Sequence, residues 1–152
     1  NVYFTEQWIG APGNFSEDFS WHIENLIIGA PRNWAKTVLQ WNLAADKNQE
    51  PHTDRGGCDR CLGAVTLTNE TIVRNPAYYI IAQASKFVPP GSVRVGSNIS
   101  EKVMNVAFKT PKGQLVVILQ NKNGSLKKIQ VKTNDKAFLV SLEAGAVGTL
   151  VI

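Results

Sequence analysis

Val103-Met104-Asn105-Val106-Ala107-Phe108-Lys109 and Leu115-Val116-Val117-Ile118-Leu119-Gln120-Asn121, joined through Pro111-Lys112-Gly113, are two β-prone runs separated by a tight turn, and they decide the fold of the second half of this chain. The pattern continues on both sides. Apolar and polar residues alternate with period two over 93–96, 126–133, 137–142 and 147–152. Between these runs stand Asn123-Gly124, Asn134-Asp135 and Ala144-Gly145, pairs suited to the dihedral angles of tight turns. Short antiparallel strands at this spacing predict a β-sandwich or barrel.

Towards the N-terminus the composition changes. Residues 1–62 hold all four Trp, both His and both Cys. Residues 2–5 are a short β-prone run ending at Glu6, followed by a loop containing Gly10, Pro12, Gly13 and Asn14. Ser16 offers an N-cap, and Glu17 and Asp18 fall where a helix dipole favours negative charge. Phe19, Ile23, Leu26, Ile27 and Ala30 recur at steps of three and four, which predicts a helix over 17–29 ended by Gly29, with Pro31 opening a short further turn. A second β-prone run covers 37–43. Strand, loop, helix, strand is the repeating unit of parallel α/β folds, in which loops after the carboxyl ends of strands carry the chemistry. Glu6 and the Trp41-Asn42 pair therefore fall where a site would be built.

Residues 45–63 are polar and glycine-rich and read as a long loop, containing His52, Cys58 and Cys61. Residues 64–68 and 71–74 predict a hairpin around Asn69-Glu70. Asn75 and Pro76 then serve as N-cap and first position of a helix over 77–86, ended by Pro89-Pro90-Gly91. The fold class is α+β, with three stretches: 1–62, a connecting hairpin and helix at 63–92, and an all-β region at 93–152.

The composition excludes several classes. With 152 residues, 43% apolar, the chain can bury a core without staples, so a disulfide scaffold is excluded. A formal charge of +4 would suit a polyanion only if clustered, and Lys122, Lys127, Lys128 and Lys132 alternate with apolar residues as the solvated face of a sheet. Nucleic acid is not the expected partner. No apolar run reaches the roughly 20 residues that cross a bilayer. The chain opens inside a strand-like pattern rather than at a methionine, which suggests that an upstream portion, with any targeting segment, has been removed. Asn14, Asn69, Asn98 and Asn123 each fit the N-glycosylation pattern, a small excess that fits a secreted eukaryotic protein and an Asn-rich bacterial one equally.

Tyr3-Phe4-Thr5-Glu6-Gln7, Val38-Leu39-Gln40-Trp41-Asn42-Leu43-Ala44, Asn75-Pro76-Ala77-Tyr78-Tyr79, and above all Ser85-Lys86-Phe87-Val88-Pro89-Pro90-Gly91-Ser92-Val93-Arg94-Val95-Gly96 resemble the C-terminal third of glycoside hydrolase family 30, the glucosylceramidase-like group. The resemblance implies a (β/α)8 barrel with an attached β-sandwich built from both ends of the full chain. This sequence would supply the last two barrel units and the C-terminal sandwich strands. The first six units, the acid/base glutamate and the N-terminal sandwich strand would belong to a missing N-terminal part of the same enzyme, so the fragment alone is expected to be inactive.

What the resemblance implies for the site is a retaining β-glycosidase acting on a β-glucoside such as the sphingolipid glucosylceramide, or on β-1,6-glucan, with Glu6 as nucleophile. That chemistry needs an ionised carboxylate beside the anomeric carbon and a second carboxyl about 5 Å away, and no cofactor or metal. Trp41 would stack on the apolar face of a sugar and Asn42 would hydrogen-bond its hydroxyls. Trp8 either flanks the pocket or packs as a surface aromatic.

Cys58-x-x-Cys61 admits a redox pair, half a zinc site, a loop disulfide or a reduced buried pair; zinc would lack matching ligands beside His52, and in an exported enzyme a disulfide shaping the rim is preferred. His22, between Trp21 and Ile23, reads as structural. A periplasmic or extracellular location is expected. The alternative function is a non-catalytic β-sandwich, either support or carbohydrate-binding; with only Phe108 and Phe138 beyond residue 92, an aromatic platform is poorly supported.

Overall fold

The computed structural model describes residues 1–152, which divide into two compact units, Asn1–Gln83 and Ala84–Ile152. In the first, strand β1 (Val2–Phe4) leads through a helical segment to β2 (Ala35–Val38), and the two strands pair in parallel with Val2 opposite Ala35 and Phe4 opposite Val38. The pairing outlasts the regular strands. Leu39 N donates to Phe4 O at 3.0 Å, Trp41 N to Gln7 O at 2.7 Å, and Trp8 and Trp41 form a parallel bridge.

The run predicted over 37–43 is not one strand. β2 stops at Val38, and beyond Trp41 the chain changes partner: Ala64 N donates to Asn42 O and Val65 N to Leu43 O. β3 (Ala44–Ala45) then lies parallel to β4 (Val65–Leu67), which is antiparallel to β5 (Ile72–Arg74) in the expected hairpin. β-propensity reports fit to a pleated surface and carries no information about which neighbour supplies it.

The helical segment also departs from expectation. Helix α1 (Phe15–His22) is capped by Asn14, not Ser16: Asn14 has an extended backbone, its Oδ1 accepts from Glu17 N at 3.2 Å, and its own N donates to Asp18 Oδ2 at 2.7 Å. A π-helical stretch (Ile23–Gly29) follows, then α2 (Ala30–Arg32). Ala30 N donates to Asn25 O, the five-residue step of a π-helix. The wider turn lets Ile28 join Ile23, Leu26 and Ile27 in the core.

Gly29 therefore does not end the helix. Its φ of −66° is helical, and a Cβ there would stand 2.8 Å from Glu24 O. By helix propensity alone, Gly29→Ala should stabilise by about 1 kcal/mol. The contact with a backbone carbonyl reverses that sign, and we expect a loss of roughly 1–3 kcal/mol in denaturant titration. A gain would mean that the π-turn relaxes without cost.

The division between the units falls within α3 (Pro76–Ser85), before which Asn75 Nδ2 donates to Gly63 O and Thr66 Oγ1, both at 2.8 Å. Asn75 thus ties the helix start to the hairpin. No side-chain N-cap bond from it is observed.

The second unit contains β6 (Val93–Val95), β7 (Val103–Lys109), β8 (Leu115–Asn121), β9 (Lys127–Lys132), β10 (Ala137–Leu142) and β11 (Val147–Val151). One antiparallel sheet has the order β11-β8-β7-β6, and β9 and β10 form a second, two-stranded sheet. Ala107, Val117, Leu119 and Leu142 form a core cluster, packed by Val95, Val103, Leu150, Ile129, Val131 and Val140. Residues from both sheets meet in that cluster, so the unit is a two-layer sandwich. Alternation along β9 turns Ile129 and Val131 inward and Lys127, Lys128 and Lys132 to solvent.

Candidate active site

The parallel register of β1 and β2 positions the candidate residues. Adjacent parallel strands bring their carboxyl ends to one edge, so Glu6, Gln7 and Trp8 emerge beside Trp41 and Asn42. The hydrogen bond from Trp41 N to Gln7 O fixes that neighbourhood through the backbone. Glu6 is exposed. Trp8 and Trp41 expose 37% and 51% of their surface, so two large aromatic rings on the paired segments that follow β1 and β2 are open to solvent. Such rings can receive the apolar face of a sugar.

Asn42 is held more tightly. Its carbonyl accepts from Ala64 N at 2.8 Å, and its Oδ1 is buried without a hydrogen-bond partner. A Cβ on Gly63 would stand 2.8 Å from that Oδ1, 2.7 Å from Ala45 N and 2.8 Å from Val65 O. Only glycine lets the hairpin approach the strand end this closely. We expect Gly63→Ala to cost about 2 kcal/mol or more, read as a lower thermal midpoint, because two of the three contacts are backbone.

Gln40, between the two strand-end residues Leu39 and Trp41, has both amide atoms buried and unpartnered. The sequence reading did not single it out; a polar residue in an otherwise apolar run was the available signal.

The glycine-rich loop returns to the same edge. Gly10 and Cys61 form an antiparallel bridge, flanked by Ala11 N to Arg60 O at 2.7 Å and Leu62 N to Ile9 O at 2.8 Å. Cys58 and Cys61 are joined by a disulfide. The Arg60 guanidinium lies over the Trp8 ring, 5.9 Å from its centroid. Arg60 was not anticipated; its place between two cysteines was the only hint.

His52 is exposed, with Nε2 3.5 Å from Glu50 Oε1. His22 is buried, with Nδ1 2.7 Å from Asp18 O and its ring edge-on to Trp21. That carbonyl can only accept, so Nδ1 carries the proton in a structural contact. A cleft of about 850 Å³ lies in the second unit, lined by Val95, Val103, Val117, Leu119, Ile129 and Val131 among others. Its walls are mixed, with Ser97, Asn105 and Gln130 beside those apolar side chains, and none of the candidate catalytic residues lines it.

Comparison with known proteins matches residues 91–150 to the glycosyl hydrolase family 30 beta sandwich domain. An endo-1,6-beta-D-glucanase of Aspergillus fumigatus is 35% identical over 130 residues, 81% of this chain and 25% of the relative. A putative glucosylceramidase of Caenorhabditis elegans is 35% identical over 65% of this chain and 20% of its own length. Among solved structures, an endo-beta1,6-glucanase superposes with a TM-score of 0.89 at 33% identity, over 98% of this chain and 35% of that one. The chain thus spans about a quarter of the curated endoglucanases it matches.

Proposed function

This chain belongs to glycoside hydrolase family 30, and from that premise we propose that it is the C-terminal part of a retaining β-glycosidase that cleaves β-1,6-linked glucan, with Glu6 as nucleophile. The observation that carries this reading is the parallel pairing of β1 and β2, with Trp41 N bonded to Gln7 O, beside the exposed Glu6. A carboxylate on a strand end is held rigidly enough to keep its attacking oxygen in line with the anomeric carbon. Glu6 forms the glycosyl ester, and a second carboxyl from the rest of the enzyme protonates the leaving oxygen and then activates water, with net retention. Trp41 stacks on the sugar, and Asn42, whose Oδ1 is buried, offers its Nδ2 to a hydroxyl.

Residues 1–62 would be the last two β/α units of a (β/α)8 barrel, 63–92 the connection and 93–152 the sandwich. A two-stranded parallel sheet is not stable in isolation, and the unmet amide of Gln40 calls for a polar partner; both features support completion by an N-terminal part of the same protein. The cleft in the sandwich, where Val103, Val117, Leu119, Ile129 and Val131 meet polar side chains, suits a further strand from that part. The fragment alone is accordingly inactive. The Cys58–Cys61 disulfide supports export to a periplasmic or extracellular compartment, and no helix is long and apolar enough to cross a membrane.

At equal identity, 35%, the match to the endo-1,6-glucanase of Aspergillus fumigatus covers 81% of this chain and that to the Caenorhabditis elegans glucosylceramidase 65%, which favours β-1,6-glucan over glucosylceramide. Full-length protein assayed on nitrophenyl β-glucoside, glucosylceramide and β-1,6-glucan should release reducing ends fastest from the glucan. Preference for glucosylceramide would transfer the proposal to that substrate; inactivity on all three would contradict it. A carbohydrate-binding role for the second unit is poorly supported, since Phe108 and Phe138 are both partly buried.

A further inference from the structure

We propose that Arg60 is a positioning residue, held by the Cys58–Cys61 disulfide loop against the Trp8 ring so that the indole forms a fixed wall of a second glucose subsite beside Glu6. This rests on the β-glucanase reading above and deepens it.

The loop is tied twice. The disulfide closes the four residues 58–61, and the pairing of 9–11 with 60–62 fastens the closed loop to the segment that follows Glu6. Arg60 lies inside both ties. Gly10 completes the arrangement: a Cβ there would stand 3.1 Å from Trp8 Cζ3 and 3.3 Å from Arg60 Nη2. The absence of a side chain at Gly10 therefore lets both groups lie down against the strand.

Trp8, two residues beyond Glu6 and bridged to Trp41, is backed on one side by this assembly and still exposes 37% of its surface. An indole free to rotate would lose conformational entropy when sugar binds; one already held does not. The guanidinium also presents planar N–H donors at the rim, chemistry that suits the hydroxyls of a neutral glucose polymer. No acidic ligand is required.

The test uses full-length protein carrying Glu6→Gln, so that binding is read without chemistry, and gentiotriose, the β-1,6-linked glucose trimer, as probe in titration calorimetry. Arg60→Ala should weaken gentiotriose binding about three- to fivefold, the range of an exposed cation–π contact. The double variant Cys58→Ser/Cys61→Ser should do the same, and Arg60→Lys should recover part of the loss. With Glu6 restored, KM for gentiotriose should rise by more than kcat falls. An unchanged Kd in Arg60→Ala or in the double cysteine variant overturns the proposal, as does a failure of the protein with Arg60 and both cysteines intact to bind gentiotriose. Failure of the nucleophile assignment would appear separately, as turnover that survives Glu6→Gln.

Discussion

Glu6→Gln in the full-length protein should lower turnover of nitrophenyl β-glucoside by roughly four orders of magnitude or more if Glu6 is the nucleophile proposed above, since the substitution then removes the attacking group and not merely a contact. Glutamine keeps the size of glutamate but has no anionic oxygen, so the glycosyl ester cannot form. Binding should survive, because Trp8 and Trp41 supply apolar surface that the substitution leaves alone. Stability should change by about 0.5 kcal/mol or less, because Glu6 is exposed and its side chain makes no hydrogen bond or ion pair. Wild-type turnover in this variant would refute the assignment. A loss of turnover accompanied by unfolding would refute the claim that the residue is free of structural duty.

The second large effect lies in the sandwich. Asn121 is fully buried, and its Nδ2 is within hydrogen-bond distance of Ser125 O, Leu142 O and Glu143 O at 2.9, 3.0 and 2.9 Å. Its Oδ1 accepts from Asn123 N and Asn123 Nδ2. One amide thus joins the turn after β8 to the turn after β10. Asn121→Asp has the same shape but replaces the donor with an oxygen facing carbonyls. We expect a loss of about 3–5 kcal/mol, from unsatisfied buried carbonyls and like-signed dipoles. Hydrogen exchange should quicken at the amides of β8 and β10. Exchange at the wild-type rate would mean that this network contributes nothing to the sandwich.

The sandwich was the more legible half because its signals are local. β7 and β8 coincide with the runs 103–109 and 115–121, and β10 with 137–142, since alternation and turn residues report directly on a sheet with one face inward. The hairpin around Asn69-Glu70 was readable for the same reason. The first unit was harder. Asn14, not Ser16, caps α1 because cap choice depends on where the backbone leaves the extended region, and Asp18 closes the contact from the other side. The π-turn was hidden because three- and four-residue periodicity assumes α-helical geometry, and Ile28 enters the core only through the five-residue step.

At the candidate site, Glu6, Trp41 and Asn42 were named from strand-end position and from a family resemblance. Their shared edge became visible only through the register of β1 and β2. Arg60 lies more than fifty residues from Trp8 in the chain, and no period or spacing links them. Such a contact exists only after the loop has closed.

The most direct test is to trap the glycosyl-enzyme. Full-length protein incubated with an activated 2-deoxy-2-fluoro-β-glucoside, then digested and mapped by mass spectrometry, should carry the fluorosugar on the peptide containing Glu6, esterified at that side chain. Attachment to any other carboxylate, with Glu6 unmodified, would contradict the account.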